Sequence, residues 1–589
     1  MVLDAINRVS GGRLVPAFVL VLDAINRVST LYLTPLPYLR GATFCDATKN
    51  DTMRNLLLTL VLWLATWILV PGQENLARLD QIDVLHYQFD LTLADDTDAI
   101  AGQALVRLTL LQARPQVTLD LQAENGGQGM QVEAVQYEGA PLRFQHRGQA
   151  LSIDLPEDIP VGEPLELSII YRGVPADGLI IGENKFGDRT FFGDNWPNRA
   201  RHWLPTVDHP SDKATVEWVV TAPQGYQVVA NGRQLEETNL DDELVRYRFA
   251  TEVPLPTKVM VIGVAPFAVS YAGSTHNIPV TSWVFPDNRE AGFYDYRPAV
   301  RVLDWFIEHV ADYPFLKLAN VQSKTRYGGM ENAGNIFYFE NSVTGRRERE
   351  ALIAHEIAHQ WFGNSASERS WYHIWLSEGF ATYFTHLYLE HTQGYDVLQE
   401  RLQADRLRVL RFGRQRSVPV VDTTVRDFNQ LLNPNSYQKG GWVLHMLRRQ
   451  VGDEAFWQGI RTYYRRYQLS NALTEDFQQV MEEVSGQDLE QFFHQWLYEP
   501  GYPDLSVEWS YDENAREVVA TIRQQQDYVF HCPLTVQVVN AGMDQLGVQE
   551  VQLSEREHTV RIPIGRGEVE TLALDPDTNL LFTANIRRK

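Results

Sequence analysis

The stretch EALIAHEIAHQWFGNSASERSWYHIWLSEGFATYF, residues 350–384, decides how the chain is read. Leu352, Ile353, Ile357 and Trp361 recur at helical spacing, and Gly363-Asn364 is a stop signal, so a helix is expected up to that point. Within it, His355 and His359 stand at i and i+4, one turn apart on the same face. Imidazoles placed in this way can share one metal ion. Glu356 lies beside them, within reach of a water on the metal but angled away from the metal itself. Eighteen residues lie between His359 and Glu378. A second helix is expected over residues 375–391, with Glu378 in its first turn, returning a carboxylate to the two histidines. Two imidazoles, one carboxylate and an open position suit zinc. Zinc lowers the pKa of its water toward ~7, and a neighbouring glutamate can then take the proton. Two histidines on an apolar helix can also be plain core residues; the correctly spaced Glu378 separates the two readings.

Two further stretches read alone as a turn and as a structural tyrosine; with the paired histidines between them, both can carry chemistry. In GGMEN, residues 328–332, Gly328 and Gly329 let an extended backbone approach a peptide and hydrogen-bond to it. Glu331 is a carboxylate fixed in this run, with Met330 and Asn332 beside it. In YQKGG, residues 437–441, Tyr437 follows the turn Asn433-Pro434-Asn435-Ser436 and stands at the entry of a helix, where site residues often lie.

HEIAHQWFGN, the eighteen-residue interval and the glutamate of WLSEGFATYF resemble the gluzincin aminopeptidases, peptidase family M1. GGMEN is similar to the family's exopeptidase motif and YQKGG to its tyrosine motif, in the family's order and intervals. Weaker similarity runs from about residue 80 to about residue 505. The resemblance implies an α+β multidomain protein: a saddle-like antiparallel N-terminal β domain, a thermolysin-like, mostly helical catalytic domain and a C-terminal β-sandwich. It implies one Zn2+ held by His355, His359 and Glu378, with Glu356 as general base. Tyr437 would donate to the oxyanion, and Glu331 would hold the free amine of a peptide substrate. The family usually places a second amine-holding glutamine or glutamate in the segment matching NWPNRARHWLPTVDHPSDKATVEW; here Asn195-Trp196 stands at that point, with Asp194 beside it. That departure keeps a second reading in view, an endopeptidase on the same scaffold. A third reading, a non-catalytic protein keeping the fold, would be expected to have lost a ligand or the base. His355, Glu356, His359 and Glu378 are all present.

At 589 residues the chain exceeds a single core, and 44% apolar residues mark it as globular. The net charge of −23 disfavours nucleic acid and anionic membrane surfaces as partners. Residues 1–52 contain VLDAINRVS twice, at 2–10 and 21–29, and are read as an extension with no folded role. Residues 53–72 read as a signal peptide: Arg54, an apolar run over 56–70, then small residues before the cleavage point. The expected location is therefore periplasmic or extracellular, with a membrane anchor formed by 56–70 as the alternative. Cleavage would leave Cys532 without the only other cysteine, Cys45. Strand-length apolar pieces fill 73–270, the catalytic unit spans 271–500, and strand patterns return over 501–589.

Overall fold

The computed structural model describes residues 79–241 and 243–589. The expected extension over 1–52 and signal peptide over 53–72 lie outside the described residues.

Alternating side chains build the first part. In Ile82–Thr92 the inward set Val84, Tyr87, Phe89 and Leu91 is fully buried, and a register shift between Val84 and His86 moves the inward face from even to odd positions. This strand sits inside a nine-stranded sheet. The sheet is antiparallel except at one place, where Ile82–Thr92 runs parallel to Lys213–Pro223. A four-stranded sheet, including Arg189–Gly193 and Ile262–Ala265, and a three-stranded one complete this region.

The next sheet is mixed and five-stranded: Ala268–Thr275, Ile278–Val284, Leu318–Ser323, Asn335–Phe339 and, at its edge, the two-residue strand Gly329–Met330. The expected boundary between residues 270 and 271 cuts through Ala268–Thr275. That strand hydrogen-bonds to Ile278–Val284.

Helices follow. Trp375–Gln393 is buried on every face from Trp375 to Leu389, because other helices surround it. Glu350–Ala358, Tyr395–Gln415 and Gly440–Val451 pack around it. The last helical turn ends at Tyr498, and Asp504–Asp512 opens two facing sheets of four and three strands. Val507, Ala520, Ile522, Leu534, Val536 and Val538 form their core. These parts make the α+β multidomain layout expected from the pattern. No helix among the described residues is long and apolar enough to cross a membrane.

Candidate active site

The helix Glu350–Ala358 closes with a tightened turn. His359 is its C-cap, donating its N–H to the His355 carbonyl at 3.3 Å. The helix is therefore shorter than the spacing suggested, but His359 keeps helical dihedrals, so both imidazoles still face one way. Glu378 lies in the first turn of Trp375–Gln393, as expected. The two Nε2 atoms are 3.2 Å apart, and Glu378 Oε2 lies 3.5 Å from His355 Nε2 and 3.3 Å from His359 Nε2. Ligand atoms ~2.0–2.1 Å from one tetrahedral zinc lie ~3.3 Å from each other, so the triangle has the right size for that ion. The donor set, two nitrogens and a carboxylate, has the matching chemistry.

His359 is aimed by its other nitrogen. Nδ1 lies 3.2 Å from the Phe362 carbonyl and 3.0 Å from Ser377 Oγ, which leaves Nε2 turned toward His355 and Glu378. Gly363 is required here: its φ is +120°, and a Cβ would fall 2.2 Å from Ser377 Oγ.

The charges respond to one another. Burial opposes a charge on His359, yet the nearby carboxylates, Glu378 first, hold it up at about 9. Burial would raise Glu378, but the two imidazoles hold it well below the usual carboxylate range. On His355 burial prevails and lowers the pKa. Burial drives Glu356 well above the ordinary value; His359 opposes this, and Glu331 and Glu378 add to it.

Glu331 and Glu356 share this space with His359, one ligand-type atom of each lying within 4.8 Å of the others. The backbone of GGMEN runs directly over Glu356. A Cβ on Gly329 would sit 2.2 Å from Glu356 Oε1, so only glycine fits. The Glu331 carbonyl accepts from Gln360 Nε2 at 2.8 Å and Asn364 Nδ2 at 2.6 Å. Gln360 Oε1 also accepts from the Gly334 N–H at 2.9 Å. The residues that follow His359 thus fasten the segment carrying Glu331.

Tyr437 sits in a π-helical turn, Asn435–Lys439, that leads into Gly440–Val451. Its ring stacks on His355 with centroids 6.0 Å apart. Burial, then Glu378 and Glu331, raise its pKa well above the ordinary value, so the phenol keeps its proton and can donate it. Its helix packs closely on Trp375–Gln393: a Cβ on Gly379 would lie 2.9 Å from the Gly440 backbone Cα, and one on Gly441 would lie 3.2 Å from the Thr382 side chain.

Together these groups line one cleft. Of the expected residues, His355, Glu356, His359, Glu378, Gly329, Met330, Glu331 and Tyr437 line it. Gly328 and Asn332 do not. The Gly328 carbonyl is spent on the Phe339 N–H at 3.1 Å, and Asn332 is fully buried behind the lining. Nor is Asn195 available as an amine ligand: its Nδ2 donates to the Thr257 and Met260 carbonyls, and its Oδ1 accepts from Trp203 Nε1. Asp194 is fully buried and paired with Arg199. Trp196 is the neighbour that reaches the cleft. Tyr327 and Leu432 also line it, and no pattern in the sequence marks them.

A fold with a β-rich first part, a helical core and this ligand triangle defines a metallopeptidase class. The model of the peptidase family M1 domain matches residues 294–496, and that of the peptidase M1 N-terminal domain matches 84–259. The chain belongs to peptidase family M1, whose members are in general zinc-dependent. It is 31% identical to glutamyl aminopeptidase from Homo sapiens over 329 residues, 53% of this chain and 34% of that protein. It is 26% identical to glutamyl aminopeptidase from Mus musculus over 465 residues, 74% of this chain and 49% of the relative. Aminopeptidase M1-A from Oryza sativa subsp. japonica is 28% identical over 453 residues, 71% of this chain and 51% of the relative. The matched part thus spans between a third and about half of these relatives' own length.

Proposed function

We propose that the chain is a zinc aminopeptidase that hydrolyses the first peptide bond of peptides with a free N-terminus. The observation that carries this reading is the His355–His359–Glu378 triangle sharing one cleft with Glu331 and Glu356. His355, His359 and Glu378 would hold one zinc ion, which supplies Lewis-acid polarisation of the carbonyl and acidifies water.

The rest of the chemistry belongs to the chain. Glu331 binds the α-ammonium and so places the scissile bond one residue from the free end. The edge strand Gly329–Met330 offers backbone groups to an extended peptide. Glu356, as carboxylate, takes a proton from the attacking water and passes it to the leaving amine. The protonated Tyr437 hydroxyl donates to the oxygen on which negative charge develops.

The test is hydrolysis of aminoacyl-naphthylamides beside their N-acetylated counterparts, with and without chelator. Cleavage of the free-amine substrates alone, lost on chelation and restored by zinc, supports the reading. Equal cleavage of blocked substrates would replace it with an endopeptidase. We further propose that residues 53–72 direct export and are removed. N-terminal sequencing of protein secreted from cells tests this, and an uncleaved, membrane-bound product would favour the anchor.

A further inference from the structure

A buried ion pair behind the cleft has no part in the chemistry above. Lys258 Nζ lies 2.6 Å from Glu368 Oε1, and the two side chains are 1% and 0% exposed. Lys258 belongs to the segment matched by the N-terminal-domain model, Glu368 to that matched by the catalytic-domain model. Removing both charges from water is expensive, and replacing such a pair with apolar groups is often neutral or stabilising. Stability alone therefore gives no reason for charges at this place.

The surroundings give one. Lys258 Nζ also lies over the Trp371 ring, 5.5 Å from its centroid. A desolvated ammonium over an indole face is attracted to it. Trp371 meets Trp196 edge to face at 5.6 Å, and Trp196 in turn meets Tyr327 at 6.2 Å. Trp196 and Tyr327 are walls of the cleft. The backbone of the same wall is tied to the same place. Asn195, immediately before Trp196, donates to the Thr257 carbonyl at 3.1 Å and the Met260 carbonyl at 2.6 Å, on either side of Lys258. One short segment around Lys258 thus grips Trp196 through its neighbour's amide and, through Trp371, through its ring.

Apart from the His355–His359–Glu378 triangle, Glu331, Glu356 and Tyr437, the lining is Trp196, Tyr327, Met330, Leu432 and the Gly329 backbone, and among the described residues no lysine or arginine lines the cleft. We propose that Trp196 is a wall of the pocket for an apolar first side chain of the substrate, and that the Lys258–Glu368 pair is the positioning device that holds this wall through Trp371. The proposal rests on the aminopeptidase reading for its substrate, but the placement of the two indoles can be read without turnover.

The experiment uses the full chain and the variants Lys258→Met and Lys258→Met/Glu368→Leu. The double variant removes both charges of the pair together, while the neighbouring Lys213 keeps its bonds to the Asn364 and Ser365 carbonyls, and so keeps the test open where the single one fails to fold. Leucyl- and alanyl-naphthylamide are compared, and the protein is labelled with fluorotryptophan, the Trp196 and Trp371 resonances being assigned by Trp→Phe variants. The expected result is a KM for the leucyl substrate raised at least ~10-fold, with the alanyl KM and both kcat values within about twofold. The two assigned fluorine resonances should shift or broaden together. A folded double variant with wild-type KM values, or with both resonances unmoved, overturns the positioning role. If the wild-type chain cleaves neither substrate, the aminopeptidase reading falls. The fluorine spectra then decide alone: unmoved resonances overturn the positioning and moved ones uphold it.

Discussion

Replacing Gly379 with alanine tests how the site is assembled. Gly379 follows the zinc-ligand position Glu378, and Gly440 follows Tyr437 by three residues. The Gly379 Cβ would lie 2.9 Å from both Gly440 Cα and Gly440 C, and 3.3 Å from the Ser436 carbonyl oxygen. Carbon atoms in comfortable contact are ~3.5–4.0 Å apart, so the two elements must separate by roughly 0.6–1.1 Å. The neighbours are backbone, so no side chain can swing away. Overpacking of this kind costs ~1–3 kcal/mol, while alanine in place of glycine inside a helix returns ~1 kcal/mol. The net loss of stability is therefore small, about 0–2 kcal/mol. Catalysis should suffer more, because the separation moves Tyr437 away from Glu378. A displacement near 1 Å in a catalytic group can cost ~100-fold. The expected outcome is a kcat lowered ~10–100-fold with bound zinc retained, measured by steady-state hydrolysis beside metal analysis. Full kcat in a folded Gly379→Ala variant would refute the claim that this glycine contact sets the position of Tyr437.

Other outcomes follow from the same geometry. Glu356→Gln should retain zinc and lose ~10²–10⁴-fold in kcat, since an amide cannot accept the proton; retained turnover would give the base role to another group. Tyr437→Phe should lower kcat ~10²–10³-fold and change KM little, as expected for a donor used only in the transition state; an effect on KM alone would make it a binding residue instead. Zinc affinity should fall with acid. His359 in the metal-free site is held up at about 9, so at neutral pH it carries a proton that must leave before it can ligate. Zinc titrations across pH 6–9 should show proton release and an affinity that rises with pH; a flat profile would remove His359 from the ligand set.

The parts of this site that could be read from the chain are local ones. His355, Glu356 and His359 lie within one helical turn, so periodicity alone puts them on one face. Glu378 needed only one further helix in the same stretch. Gly329 and Glu331 are legible because their chemistry is carried by five consecutive residues. What escaped the reading depends on pairings over long separations. Gln360 and Asn364 lie inside the decisive stretch, yet their target is the carbonyl of Glu331, about thirty residues back, and a backbone oxygen leaves no mark in a sequence. Gly379 and Gly440 serve each other across sixty residues, and each alone looks like an ordinary helix glycine. Strands behaved in the same way. Gln545–Leu553, QLGVQEVQL, is exposed along most of its length, so it lacks the alternation that marks a half-buried strand, and only its pairing with Cys532–Val539 makes it one. Asn195 shows the converse. It is a polar residue at a motif position, but its amide is consumed by the Thr257 and Met260 carbonyls. Residue type alone therefore overstates what a buried polar group can bind, since most such groups are already committed to the fold. The consequence here is concrete: with Asn195 and Asp194 both engaged, the proposed amine recognition would rest on Glu331, and its substitution should abolish the distinction between free and acetylated substrates.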